Sequence, residues 1–183
     1  MATVLSHPAV PLAAAAAVGT GRVPSRLLAL AVLASILPDL DAVGFWLGIP
    51  YAHPFGHRGF SHSIAFALLV ALLSSSSARG LRSTPLTVFL LVSSSTLSHG
   101  LLDAMTDGGL GVAFFAPFSN RRFFFPWRPL EVSPIGVDGL LSARGARIFA
   151  TEAAVIWLPA AGIGALGALR RRLVRGGNMS RER

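Results

Sequence analysis

The chain is 183 residues long, enough for one domain and short for two. Apolar residues make up 52% of it and charged residues 13%, against about 25% charged in an average soluble domain, which argues against a freely soluble globule. The net charge of +8 comes from arginine without any lysine. These arginines sit mainly between and after the apolar blocks, as juxtamembrane charges do, which sets nucleic-acid binding aside.

Five apolar segments follow one another. The first, Pro8 to Val18, is short and alanine-rich, and lacks the basic start of a cleaved secretory signal. It reads as a retained helix, tilted or partly inserted, with His7 at its start. The second runs from Pro24 to Leu37 and is expected to end at Pro38, with Asp39 and Asp41 just beyond. The third begins near Ser61, a natural N-cap, and passes through Ile64 to Leu73 into a serine run. The fourth spans Pro85 to Met105, and its Ser93, Ser94, Ser95, Thr96 and Ser98 suit close helix packing. The fifth runs from Ile148 to Leu169 and is expected to stop at Arg170-Arg171-Arg172. Only the fourth and fifth approach the roughly 20 residues that span a bilayer comfortably.

The expected fold is therefore an all-α, multi-pass transmembrane bundle of four to five helices. It forms one membrane-embedded domain over residues 1–183, with a basic tail over 170–183. Between the fourth and fifth helices, residues 107–147 carry three consecutive phenylalanines, Trp127, Arg121, Arg122 and Arg128. Aromatics beside arginines and prolines suit the lipid headgroup region. Arg121, Arg122 and Trp127 are thus candidate lipid or substrate contacts.

If the helices alternate and the C-terminal arginines are cytoplasmic, ten arginines lie inside and six outside. A second inference needs no orientation. His7, His57 and His62 lie at starts of odd-numbered helices, whereas Asp39, Asp41, His99 and Asp103 lie at ends of even-numbered ones. Helix parity therefore puts them all at one membrane face, which the arginine bias makes the extracytoplasmic one.

Carboxylates are expensive inside a bilayer and persist beside a cavity, a partner or a metal. His99 and Asp103 are one helical turn apart and share a face. Asp39 and Asp41 form a carboxylate pair. In Gly56-His57-Arg58-Gly59-Phe60-Ser61-His62-Ser63 the glycines permit an irregular backbone that brings two histidines together. Arg58 adds a fixed cation with fork geometry for phosphate or carboxylate. Since the chain has no cysteine, a metal would be held by imidazole and carboxylate alone. One or two divalent ions fit, zinc best, with manganese or iron as alternatives.

These three motifs, Pro38-Asp39-Leu40-Asp41, Gly56 to Ser63 and Ser98-His99 through Asp103 to Gly109, resemble the YdjM family. The aromatic stretch from Gly111 to Trp127 fits the same resemblance. It implies an inner-membrane location and a metal-dependent hydrolase. The His-x3-Asp element is also similar to those of zinc-dependent phospholipase C and P1-type nucleases, which implies phosphodiester chemistry.

The expected function is metal-dependent hydrolysis of a phospholipid or another membrane-associated ester. His7, His57, His62, His99, Asp103, Asp39 and Asp41 are the candidate ligands. Any of the carboxylates Asp39 and Asp41 left free is the candidate base. Arg58 is the candidate stabiliser of substrate charge. Membrane lipids and the metal are the expected partners. An ion or metal transporter, and a non-catalytic protein with a structural metal, are the alternatives.

Overall fold

The computed structural model describes residues 1–19, 21–133, 139 and 141–179. Residues 134–138 and 140 of the expected loop, and 180–183 of the expected tail, lie outside the described residues. Seven α-helices are described: α1 (Ala9–Val18), α2 (Ser25–Ile36), α3 (Val43–Trp46), α4 (Ile64–Ser75), α5 (Pro85–Ala104), α6 (Ala143–Glu152) and α7 (Leu158–Met179). Among the described residues there is no multi-residue strand, only two isolated β-bridges in the loop after α5. The fold is an all-helical membrane bundle.

Three stretches are long and apolar enough to cross a membrane by length and composition: Ser25–Trp46, Pro85–Ala104 and Ala143–Val174. α1 and α4 are shorter.

The second segment does not end at Pro38. It tightens into a 3-10 helix over Leu37–Ala42 and continues through α3 to Trp46. Pro38 lies in the first turn of that 3-10 helix, where its missing N–H costs nothing. Asp39 and Asp41 consequently sit within the tightened turn.

The third helix also starts differently. Ser63, rather than Ser61, is the N-cap, its hydroxyl accepting from Phe66 N at 3.1 Å. Ser61 and His62 fall in a short 3-10 turn just before it. The fifth segment begins earlier than expected, at Ala143, where the Ser142 hydroxyl accepts from Gly145 N. It passes through a π-helical turn over Ala153–Trp157 and continues past Arg170–Arg172 to Met179.

α5 is packed between α2 and α4, while α1 packs along α7. The core of the first group is built from Leu27, Val88, Leu91 and Val92 with Ala31, Ala34 and Ala71. Alanines let the backbones approach closely where lipid offers no hydrophobic incentive to associate. Ser93, Ser95, Thr96 and Ser98 are buried, and their hydroxyls donate to carbonyls of their own helix. That disposition is the one expected of packing residues.

The turn from Tyr51 to Gly59 wraps back on itself. A Cβ on Gly56 would lie 2.3 Å from Pro50 O, and one on Gly59 would lie 2.2 Å from Pro54 O. Only glycine fits either place. Arg58 between them holds a left-handed φ of 61°, a conformation that costs a side-chain-bearing residue about 1–3 kcal/mol and marks an over-determined site.

Candidate metal centre

Four elements meet at one end of the bundle: the segment before α1, the 3-10 turn after α2, the turn before α4, and the last turns of α5. They bring His7, Asp39, Asp41, His57, His62, His99 and Asp103 together.

Asp39, His62, His99 and Asp103 form the inner group, with one donor atom from each lying within 4.8 Å of all the others. His62 Nε2 lies 3.0 Å from His99 Nε2, and Asp39 Oδ1 lies 3.3 Å from His99 Nε2 and 3.9 Å from His62 Nε2. Asp103 Oδ2 lies 3.5 Å from His62 Nε2 and 4.0 Å from His99 Nε2. Ligands about 2.0–2.1 Å from a tetrahedral zinc stand roughly 3.3 Å from one another. The five distances bracket that edge.

The tautomers sharpen the case. His99 Nδ1 lies 2.8 Å from the Ser35 carbonyl oxygen, which can only accept, so Nδ1 carries the hydrogen. His62 Nδ1 lies 3.1 Å from Asp41 Oδ2 and carries a hydrogen for the same reason. Neutral imidazoles with both Nδ1 atoms protonated have bare Nε2 lone pairs, here facing each other across 3.0 Å. Such a contact needs a cation between or beside the two nitrogens. Asp39 adds to the demand, because both its buried oxygens lack a hydrogen-bond partner.

In the absence of metal the cation is a proton. Burial opposes charge on His62, yet the neighbouring carboxylates of Asp103 and Asp41 outweigh burial and hold the imidazole up at about 9. His7 behaves oppositely. Burial, reinforced by neighbouring His99, pushes its pKa down to about 3 and keeps the ring neutral.

Asp41 anchors a second, overlapping group with His57 and His62. Its Oδ1 lies 2.6 Å from His57 Nδ1. Its Oδ2 accepts from Arg58 N at 3.1 Å and from the Ser61 hydroxyl. The carboxylate is saturated by the turn that carries the two histidines, and it fixes both rings.

His7 stacks on His99 with ring centroids 3.6 Å apart. Its Nε2 lies 3.9 Å from Asp39 Oδ2 and from Asp103 Oδ1, the oxygens turned away from the inner group.

Arg58 is fully buried behind Asp103. Its Nε lies 3.0 Å from Asp103 Oδ2, Nη1 donates to Gly108 O, and Nη2 donates to Thr106 Oγ1. The guanidinium expected to face a substrate is thus held among protein groups.

Arg122 is occupied likewise, donating to the carbonyls of Tyr51, His53, His57 and Gly111. It clamps the loop after α5 to the His57 turn. Arg121 lies over the Phe123 ring, and Trp127 and Phe118 are 65% and 91% exposed. Asp107 accepts from Val132 N within the loop, and His53 Nδ1 accepts from Phe55 N in an exposed turn; both belong to local structure.

Several contributors escaped the sequence reading. The Ser35 carbonyl gives no sequence signal, and Thr106 is one hydroxyl among many. Glu152 is different: a lone acid in an apolar segment is itself a signal. It is buried, and takes hydrogen bonds from Thr3 and Ser6.

Comparison with known proteins bears on most of the chain. The sequence model of the YdjM inner membrane protein family matches residues 1–173. Inner membrane protein YbcI of Escherichia coli (strain K12) is 39% identical over 160 residues, covering 87% of this chain and 92% of that protein. No solved structure matches.

Proposed function

The chain belongs to the YdjM family of inner membrane proteins, and from that premise we propose that it is a membrane-bound, metal-dependent hydrolase. In this reading Asp39, His62, His99 and Asp103 hold one divalent cation, zinc by preference. The observation that carries the proposal is the 3.0 Å approach of the His62 and His99 Nε2 atoms with both Nδ1 atoms on acceptors.

When bound, the cation lowers the pKa of a water and draws charge from an ester or phosphoryl oxygen. The remaining work falls to the chain. Asp41 holds His62 and His57 in the required tautomers, and Arg58 fixes Asp103 from behind. Asp39 Oδ1, which faces His62 and His99, would serve as a ligand. His57, whose Nδ1 is held by Asp41, would take the proton of the attacking water at Nε2 and pass it to the departing oxygen. His7 closes the side of the two carboxylates turned away from His62 and His99.

The substrate class is a phospholipid or another membrane-associated ester or phosphodiester. Exposed Phe118, Trp127, Trp46 and Leu47 are apolar groups suited to the headgroup region. Residues 107–133, in the stretch between α5 and α6, would act as an interfacial element of a single membrane domain, with Arg121 and Trp127 supplying lipid contacts. The arginine excess at the opposite helix ends supports an extracytoplasmic centre.

The test is hydrolysis of phospholipid in mixed micelles by zinc-loaded protein, with Asp39→Asn alongside. Water-dependent release of product, lost in the variant, is expected. Absence of turnover, together with metal uptake by proteoliposomes, would replace the hydrolase with a transporter.

A further inference from the structure

Glu152 is a buried carboxylate on the last spanning stretch, outside the set of candidate ligands. It does not point to another spanning helix. Its Oε1 accepts from Thr3 N at 2.5 Å, and its Oε2 accepts from the Ser6 hydroxyl at 2.6 Å and from the Thr3 hydroxyl. Three donors from one short segment thus converge on one side chain.

That segment runs directly over the metal centre. One residue before Thr3, Ala2 N donates to Asp103 Oδ1 at 2.8 Å. One residue after Ser6, His7 stacks on His99. Both ring nitrogens of His7 are buried without a hydrogen-bond partner, so stacking and the chain on either side must hold the ring. The carboxylate also sits immediately before the π-helical turn of Ala153–Trp157. Such turns recur at functional sites, where one added residue re-aims a side chain.

Resting on the metal-centre reading above, we propose that Glu152 is a positioning residue for that centre. It ties Ala2 to His7 across the carboxylates of Asp103 and Asp39, and so couples the last spanning helix to the geometry of the metal. Without it, Ala2 N leaves Asp103 Oδ1 and His7 leaves His99. The ligands then face a looser shell.

The chemistry of the contacts sets the variants. Glu152→Ala removes every acceptor. Glu152→Gln keeps Oε1 for the Thr3 N–H, and its amide can donate to the two hydroxyls, which accept as well as donate. Thr3→Val with Ser6→Ala removes the hydroxyl donors from the other side and tests the same tie if Glu152→Ala folds poorly.

Full-length protein in lipid nanodiscs is titrated with Co²⁺, reading the dissociation constant and the visible ligand-field spectrum. Amide hydrogen exchange over residues 2–7 is followed without metal. Loss of a supporting group around metal ligands typically weakens binding about 10–100-fold. Glu152→Ala should therefore raise the Co²⁺ dissociation constant about tenfold or more, shift the spectrum and speed exchange at Ala2 and Thr3. Glu152→Gln should restore most of the affinity and the spectrum.

Faster exchange with an unchanged spectrum and affinity in Glu152→Ala would overturn the inference, leaving a purely structural tie. Unchanged exchange would overturn it as well. Wild-type protein that takes up no Co²⁺ would instead sink the metal-centre reading, and this inference with it.

Discussion

Asp41 separates two ways of reading the site, because it is either a ligand or the group that aims the ligands. Its four contacts favour the second. Oδ1 meets His57 Nδ1 at 2.6 Å, while Oδ2 meets Arg58 N, the Ser61 hydroxyl and His62 Nδ1. Substitution by alanine removes all four, freeing both imidazoles and exposing the Arg58 amide. Losing the partner of a metal-bound histidine costs about 10–100-fold in affinity, and Asp41→Ala should lie near the upper end, about 100-fold.

Asparagine is predicted to behave differently. Its amide oxygen will take the crowded Oδ2 position, where three donors wait, and its NH2 will face His57 alone. His57 can meet that by moving its proton to Nε2, whereas His62 keeps an acceptor at Nδ1. Asp41→Asn should therefore weaken zinc only about tenfold, while hydrolysis falls further because His57 is in the wrong tautomer. A competition titration of zinc against a chromophoric chelator, run beside the turnover assay, measures both. Equal zinc affinity in wild type and Asp41→Ala, or a larger loss in the asparagine variant than in the alanine one, would refute this assignment.

Two further outcomes follow from the same geometry. The raised pKa of His62, about 9, means that protonation stabilises the metal-free fold fully below the ordinary value near 6.5, and that this stability is lost as pH rises through 9. Chelator-treated protein should accordingly show a falling Tm between pH 6.5 and 9, and zinc-loaded protein a flat one; parallel curves would contradict a shared cation position. Gly59→Ala should cost about 1–3 kcal/mol of stability by overpacking, since its Cβ would meet Pro54 O at 2.2 Å and Gly56 O at 2.7 Å. Thermal unfolding reads this directly, and a wild-type Tm would argue against the tight His57 turn.

Much of this architecture was legible in the sequence, for reasons that can be named. Apolar block length and helix parity need only the order of segments, and they anticipate which ends meet. The motif from Gly56 to Ser63 announces an irregular turn because its glycines are spaced for one. Pro38 misled, because a proline ends an α-helix but begins a 3-10 turn equally well, and the apolar residues beyond Asp41 let the stretch continue to Trp46. Ser61 and Ser63 are equivalent as caps on paper; only the position of Asp41 in space draws Ser61 away from the helix start. Arg58 and Arg122 read as substrate contacts because sequence gives a charge without its surroundings. In space, Asp103 and a set of backbone carbonyls take them up. Glu152 was open to detection as an acid in an apolar run, but its partners lie 146 and 149 positions away, beyond any local pattern.

The central claim is that His62 and His99 share a cation with Asp39 and Asp103. Metal content measures it most directly: wild-type protein and the His62→Ala/His99→Ala double variant are equilibrated with zinc, dialysed and analysed by mass spectrometry of the metal. The account predicts roughly one tightly held ion per chain in the wild type and none in the double variant. A wild-type protein that retains no zinc, or a double variant that retains as much, would contradict it.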